Sequence, residues 1–585
     1  MKRVFTSILA AMIIATSLVA CKTEDPSKTN TPTEATTENV TEVTTEAKTE
    51  AQTEAKKPSN LPTSVDWRNY KGKNYVTPTK VQIFGDCWTF ATIAAVETAY
   101  LYANDLGVTA GEVNENVDFS EKYIGWYTYQ SITENDVTTG KIRSSQIGEG
   151  YDLSKIIAED TNSVYALGGS YGGVNLFAAG FGPIEEKVSV NSEYPYAYCG
   201  KDCEVIDGKA QASLENDWSI PLNSEYRNPE TKAVFRGAYA LPGPASKDEN
   251  GEYKFNEEGV TAIKSELVNG HGVLCGIYYG TPMNYEHWAT YNDFENESNH
   301  AVTIIGYDDN FPKENFAQVN ASGEIYEDSI PPADGAFLIK DSTNELGIDD
   351  SGCYYISYYD HALTDAISFA FDKTDSATCI NPNYDQYDML SGSNFTNLDF
   401  DTKTKTANVF VAEENESLYQ IAYKTASPNT TVEYEIYKDI KDGDPESGTL
   451  LEKGDNTHQW AGSQRIDLKD KYKLKKGEKY SVVLTMKHID KDGKSRYTEV
   501  ISYAKIMPLT SKVIVKPNGI INKGESYLFT DGKWNDIANQ KDNLIKQTYN
   551  HLAEDPLIAD EVKAHGIDDL EIDNYSIKAI LIPEE

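Results

Sequence analysis

The sequence predicts a mixed α and β domain followed by an all-β sandwich, and three observations predict it. After Cys87, the residues Phe90, Ile93, Ala94, Glu97, Tyr100 and Leu101 recur at three-four spacing, and only Glu97 is polar, which reads as a helix of about four turns. Asn299 to Tyr307 is an apolar, β-branched run that reads as a strand. Beyond residue 361, short alternating runs separated by turn signals recur to the end of the chain.

The 585 residues suggest about three or four domains. Hydrophobic residues make up 39% and aromatics 11%, enough to build large cores. A formal net charge of −39 argues against a nucleic-acid partner, because phosphates would find no neutralising surface. It fits an exposed protein that resists self-association. The seven cysteines are too scattered for a disulfide-stapled scaffold, although Cys199 and Cys203 are close enough in sequence to pair or to remain thiols. The eight histidines are spread out, and no metal-ligating motif is found, so neither a metal nor another cofactor is expected.

Lys2 and Arg3 precede a mostly apolar run from Ile8 to Val19, too short for a membrane span and suited to a secretory signal. Leu18-Val19-Ala20-Cys21 resembles a bacterial lipobox, which implies lipidation of Cys21 and a place on the outer face of a bacterial membrane. Residues 1–21 are therefore read as a lipoprotein signal peptide. Residues 22–60 repeat Thr-Glu-Ala at 33–35, 45–47, 49–51 and 53–55. With nothing to bury, this stretch is expected to be a disordered linker, spanning roughly 35 Å as a flexible coil. It leads directly into Leu61, so no removable N-terminal inhibitor is expected.

The chemistry centres on Gln82-Ile83-Phe84-Gly85-Asp86-Cys87-Trp88. Cys87 opens the long helix, where free amides and the positive end of the dipole favour a thiolate, the nucleophile of acyl transfer. Asn104 to Gly107 supplies a stop, with Gly107 suited to a left-handed cap.

These segments resemble the papain-like cysteine peptidases. The match rests on Leu61-Pro62-Thr63-Ser64-Val65-Asp66-Trp67-Arg68, on Gln82 ahead of Gly85-Asp86-Cys87-Trp88, and on Asp118-Phe119-Ser120-Glu121. It continues through Gly172-Gly173, Tyr194-Pro195-Tyr196 and Asn299-His300-Ala301-Val302 to Gly306-Tyr307. The resemblance implies an α+β fold of two subdomains over residues 61–361, a helical half and a barrel-like half. It implies Cys87 as nucleophile, His300 as base, Gln82 as an oxyanion donor, and Gly172 and Gly173 as a wall of the substrate cleft. The base falls 213 residues after the nucleophile, against roughly 130–150 in the papain group, which places insertions within residues 203–258.

Three departures from the family pattern matter. Asp341, in Lys340-Asp341-Ser342-Thr343, stands where the family has an orienting Asn, and Thr343 stands where it has Trp. Gln82 is five residues before Cys87, one fewer than in the family. A carboxylate at 341 can accept the imidazole N–H and should raise the His300 pKa.

Residues 362–585 read as a β-sandwich. Val432, Tyr434 and Ile436 alternate with Glu433, Glu435 and Tyr437; Asn408–Ala412, Leu418–Tyr423 and Tyr480–Met486 are further strands. Residues 545–566 look helical and polar. Ala407-Asn408-Val409-Phe410, Ser447-Gly448, Gly477-Glu478-Lys479-Tyr480 and Ile577-Lys578-Ala579 resemble the lectin-like module found behind papain-like domains in some bacterial surface proteins. That implies a carbohydrate or other cell-surface ligand, although the shape alone does not establish sugar binding.

The functional expectation is a surface peptidase acting on peptide or protein substrates. A catalytically impaired adhesin and a Cys-His-Asp acyltransferase are the alternatives, separated by the reactivity of the Cys87 thiol and by the preferred acyl acceptor.

Overall fold

The helix at Cys87–Ala103 is buried on nearly every side, from Trp88 to Leu101. A helix apolar all round belongs in a core, and this one packs on strands Gly272–Ile277, His300–Asp308 and Thr364–Asp372. The structure is a computed structural model. It describes residues 61–585 apart from 83, 139–141, 160, 170–171, 187–204, 207–208, 211–221, 223–226, 228–230, 232, 248–252, 295–297, 320–324, 327–328, 344–345, 374–381, 491, 509–513, 556–557 and 585. Cys21, the linker, Tyr194-Pro195-Tyr196, Cys199 and Cys203 therefore lie outside the described residues. Among the described residues no helix is long and apolar enough to cross a membrane.

Residues 63–585 form one compact unit. Its larger sheet runs, in spatial order, through Met283–Asn284, Ala289–Thr290, Cys353–Ser357, Ala336–Lys340, His300–Asp308, Gly272–Ile277, Thr364–Asp372 and Val234–Ala240. It does not stop there. Ala461–Ser463 pairs antiparallel with Ala238–Ala240, and the sheet continues through Ala461–Leu474, Glu416–Thr425, Ile577–Pro583 and Asn383–Asp385. The second sheet, built on Asn394–Phe400, Ser495–Lys505, Lys479–Ile489, Lys405–Val411, Ser526–Thr530 and Lys533–Asp536, faces the C-terminal part of the first. Leu418, Ile421, Ile577 and Leu581 from one sheet meet Phe410, Val432, Val482 and Leu484 from the other. Val432, Tyr434 and Ile436 are buried while Glu433 and Glu435 stay partly exposed, as period-two alternation requires.

The segment expected to hold insertions is not one throughout. Val234–Ala240, inside 203–258, is the strand that couples the two halves through backbone pairing on both edges. Further polar contacts cross the same junction. Asn175 donates to the carbonyls of Ser391 and Ser393 (2.7 Å each), Gln386 to Ala179 (2.9 Å), and Arg465 to Phe235 (2.7 Å). Buried donors satisfied across the junction favour a fixed arrangement over a hinge. The polar helical region resolves into Lys541–Leu552 and Ala559–His565, whose Leu544, Leu552 and Val562 join the sandwich core.

The end of the central helix differs from expectation. Asp105, not Gly107, takes the left-handed conformation (φ 54°). Gly107 serves close packing instead: a Cβ there would lie 2.7 Å from the Tyr75 ring.

Candidate active site

Cys87 is the first residue of the central helix and is half-buried. The His300–Asp308 strand begins at its side: the Ala301 amide approaches Cys87 Sγ at 3.4 Å. His300 Nε2 lies 2.8 Å from Asp341 Oδ1. With Nε2 so engaged, the ring meets the Cys87 thiol through Nδ1. The three residues expected from the sequence, Cys87, His300 and Asp341, thus converge in one place.

His300 and Asp341 are 4% and 5% exposed, so their contact is dry. Burial by itself would push the imidazole pKa down. Hydrogen bonds to Asp341 and Cys87, with their charges, outweigh it and lift the ring to about 10. That is the direction a carboxylate at 341 predicts. Burial would likewise raise Asp341, but bonds from His300, Tyr354 and Thr343 hold it below the ordinary carboxylate range.

Asp341 is fully engaged. Its Oδ1 accepts from His300, from the Ser342 amide (2.6 Å) and from the Thr343 amide (2.9 Å), while Oδ2 accepts from the Tyr354 hydroxyl (2.9 Å). Tyr354 was not foreseen as part of the site. Its hydroxyl donates to the carboxylate, and a charged acceptor makes that bond stronger than a neutral one would. Tyr279 was also not foreseen. Its ring packs edge-on to His300 at 5.3 Å, on a site where the family's Trp is absent. Both come from strands or loops distant in sequence, and nothing local marks them.

Gln82 reaches the site from the loop before the helix. Its Oε1 accepts from Ser342 Oγ (2.8 Å) and its Nε2 donates to the Phe84 carbonyl (2.8 Å). The backbone amide of Gln82 also donates to the Ser342 carbonyl (2.8 Å). The shortened loop is thereby tied to the residue following Asp341. Asp86, immediately before the nucleophile, is fully buried; burial pushes its carboxyl up to about 8, only partly offset by backbone amides at 84 and 86. At neutral pH it is largely uncharged and adds little repulsion beside Cys87.

Gly172 and Gly173 do not form an open cleft wall. Both are buried at the start of the Gly172–Ala178 helix. A Cβ on them would fall 2.4 Å from Thr128 and 2.8 Å from Thr92, so these glycines are there for helix packing. The exposed pair is Gly168-Gly169. It follows Leu167, whose carbonyl accepts from Trp88 Nε1 (2.9 Å) and so sits beside the helix start. Added side chains at Gly168 would meet open space. The sequence reading named only Gly172-Gly173, and burial is what sets that pair apart from the exposed Gly168-Gly169.

Among the described residues no group of three or more His, Cys, Asp or Glu side chains is placed to hold a metal ion. In the C-terminal half, Trp534 is half-buried, packs on Phe529 and donates to Glu446.

The fold is that of a papain-like peptidase domain joined to a lectin-like domain. Residues 61–122 match the family model described as papain family cysteine protease, and residues 384–548 match that described as lectin like domain. The KDEL-tailed cysteine endopeptidase CEP2 of Arabidopsis thaliana is 26% identical over 240 residues, covering 40% of this chain and 51% of its own; the chain thus spans about half the length of this curated relative. The clostridial cysteine protease Cwp84 after propeptide cleavage superposes with a TM-score of 0.54 at 20% identity, over 87% of this chain and 97% of that one. The cysteine protease and lectin-like domains of Cwp84, a surface layer associated protein of Clostridium difficile, give a TM-score of 0.55 at 20% identity, over 90% of each chain. At these identities the likeness is one of fold, and it extends across both halves.

Proposed function

We propose that this chain is a cell-surface cysteine peptidase that hydrolyses peptide bonds through Cys87 and His300. The observation that carries the reading is the His300 ring, held by Asp341 on one nitrogen and facing Cys87 with the other. The Cys87 thiolate attacks the scissile carbonyl carbon, and the carbonyl π electrons move to oxygen. The Cys87 amide and the second hydrogen of Gln82 Nε2 are the donors available to that oxyanion. As the intermediate collapses, the C–N bond breaks and His300 gives its proton to the leaving amine. A thioester remains. Water attacks it while His300 takes a proton, and the C–S bond breaks to release the acid and restore the ion pair. Asp341 orients the imidazolium and stabilises its charge. The exposed Gly168-Gly169 turn leaves the substrate chain room beside the helix start.

In the same reading residues 61–361 are the peptidase domain and 362–585 the lectin-like domain, with Thr364–Asp372 completing the peptidase sheet. Cys21 carries the lipid, residues 22–60 hold the enzyme off an outer bacterial surface, and the lectin-like half takes a carbohydrate or another cell-surface ligand.

The test is labelling with an epoxide inhibitor of papain-like enzymes, read by mass spectrometry. Modification of Cys87 alone, collapsing in His300→Ala, supports the pair. Labelling of Cys87 no faster than a free thiol refutes it and leaves a binding protein. Incorporation of a fatty-acid probe, lost in Cys21→Ala, tests the anchor separately.

A further inference from the structure

We propose that a cavity of about 270 Å³ behind His300 is a specificity pocket for an uncharged aromatic or large aliphatic side chain on the leaving-group side of the substrate. The inference rests on the peptidase reading and deepens it.

The cavity begins where the family's Trp would stand. Thr343 occupies that position, and its small side chain leaves space bounded by Tyr279, Met283, Tyr285, Trp288, Leu346 and Tyr354. Its place relative to the chemistry is fixed by three contacts. Asp341 lines it, Tyr354 hydrogen-bonds Asp341, and Tyr279 lies edge-on to His300. His300 must pass its proton to the leaving nitrogen. The chain beyond that nitrogen therefore departs across His300, away from Cys87 and toward this cavity.

The lining decides what fits. Tyr285, Leu346 and Tyr279 are 71%, 60% and 45% exposed, and large apolar side chains gathered open to solvent around one cavity mark a binding site. A dry apolar cavity of about 150 Å³ holds a benzene ring, so this one has room for a substituted ring or a leucine side chain. Among the described residues Asp341 is the one charged group in the lining, and its oxygens already accept four hydrogen bonds. A lysine or arginine side chain would find no free carboxylate there, and an acidic one would meet repulsion.

The mouth is built rigidly. Trp288 has φ 48°, a conformation bulky residues rarely adopt, and its ring packs edge-on against Tyr285 at 5.6 Å. Asn284 closes the same turn by accepting from the amides of Glu286 (3.0 Å) and His287 (3.3 Å). The Trp288 carbonyl accepts from Tyr355 (2.8 Å), which ties the turn to the sheet.

The experiment profiles cleavage of a mixed peptide library by the full chain, by Thr343→Trp, which fills the cavity, and by the surface double variant Tyr285→Ala/Leu346→Ala. Rates are compared within one digest, so a general loss of activity does not enter. Phe, Tyr, Trp or Leu at the first or second position after the cut should be favoured over Ala or Lys by about tenfold or more, and the ratio should fall toward one in both variants. A flat profile after the cut, with Cys87 labelled and peptides cleaved, overturns the pocket and leaves the peptidase reading standing. Should Cys87 stay unlabelled and no peptide be cut, that reading fails and binding decides the pocket. Quenching of tryptophan fluorescence in Cys87→Ala by a Tyr-Leu dipeptide amide, but not by Gly-Gly amide, then supports it; equal response to both overturns it.

Discussion

Two buried ionic groups stand side by side in the peptidase half, and they behave differently. In the first, Lys80 Nζ is surrounded by Asp118 (2.6 Å), Glu121 (3.2 Å), Glu97 (3.4 Å) and Glu186 (3.7 Å). Burial opposes the charge on Lys80, yet the surrounding carboxyls raise its pKa well above normal. Burial also pushes up Glu121, to about 8, and Glu186, with Lys80 pulling both back. In the second, His300 and Asp341 are equally buried, but the ring's far side faces a half-exposed thiol. The two groups meet on one strand end, where Lys340 turns to Thr77 (3.0 Å) and Asp341 turns to His300, as alternation dictates. A closed network only holds the helix, sheet and loop together. An open one keeps a proton-bearing nitrogen within reach of substrate.

Breaking the two should therefore separate activity from stability. The largest effect on turnover is expected from His300→Ala: peptidase activity should fall by about 10⁴-fold or more, with a loss of stability that the remaining Ser342, Thr343 and Tyr354 donors to Asp341 partly offset. Lys80→Met should act on stability first, costing about 3–5 kcal/mol in equilibrium unfolding because it leaves carboxylates buried without their cation. Asp341→Asn should sharpen the contrast. Removing the carboxylate lowers the His300 pKa from about 10, so the alkaline limb of the pH–rate profile should move to lower pH. Activity near neutrality should drop by about tenfold, reflecting a weaker imidazolium. Linkage gives the same sign for stability. The His300 pKa is above its unfolded value of about 6.5, so the protonated ring's contribution is full below that pH and is lost as pH rises to about 10. Urea unfolding of wild type and Asp341→Asn from pH 6 to 10 should converge at the alkaline end. The smallest effect on turnover belongs to Asp86→Asn. The folded Asp86 titrates near 8 against about 3.9 unfolded, so wild type should lose stability as pH rises between them. Thermal melts at pH 5 and 9 should show a smaller gap in the variant.

Much of the site was legible in the sequence. Cys87 opens a helix, His300 opens a β-branched strand, and Asp341 ends another, so local pattern and family order suffice to name them. The burial of Gly172-Gly173 was not legible, because nothing local shows that this pair packs under Thr92 and Thr128 while Gly168-Gly169 stays exposed. Tyr354 and Tyr279 were missed for the same reason: a tyrosine in a strand carries no local sign of which side chain its hydroxyl or ring edge will meet. Val234–Ala240 was assigned to an insertion because turn-rich neighbours hide a strand that pairs with partners more than a hundred residues away.

The sequence by itself determined the order of elements and the alternation that builds the sandwich, since both follow from periodicity, and its resemblance to the papain-like peptidases picked out Cys87 and His300 as the candidate pair. Only the tertiary structure decided the environment of that pair. The His300 pKa, the fourfold engagement of Asp341, the cavity opened by Thr343 and the continuous sheet joining the halves all depend on which distant residues are packed against one another. Burial strengthens or weakens each charge according to those neighbours, and no local stretch of chain contains that information.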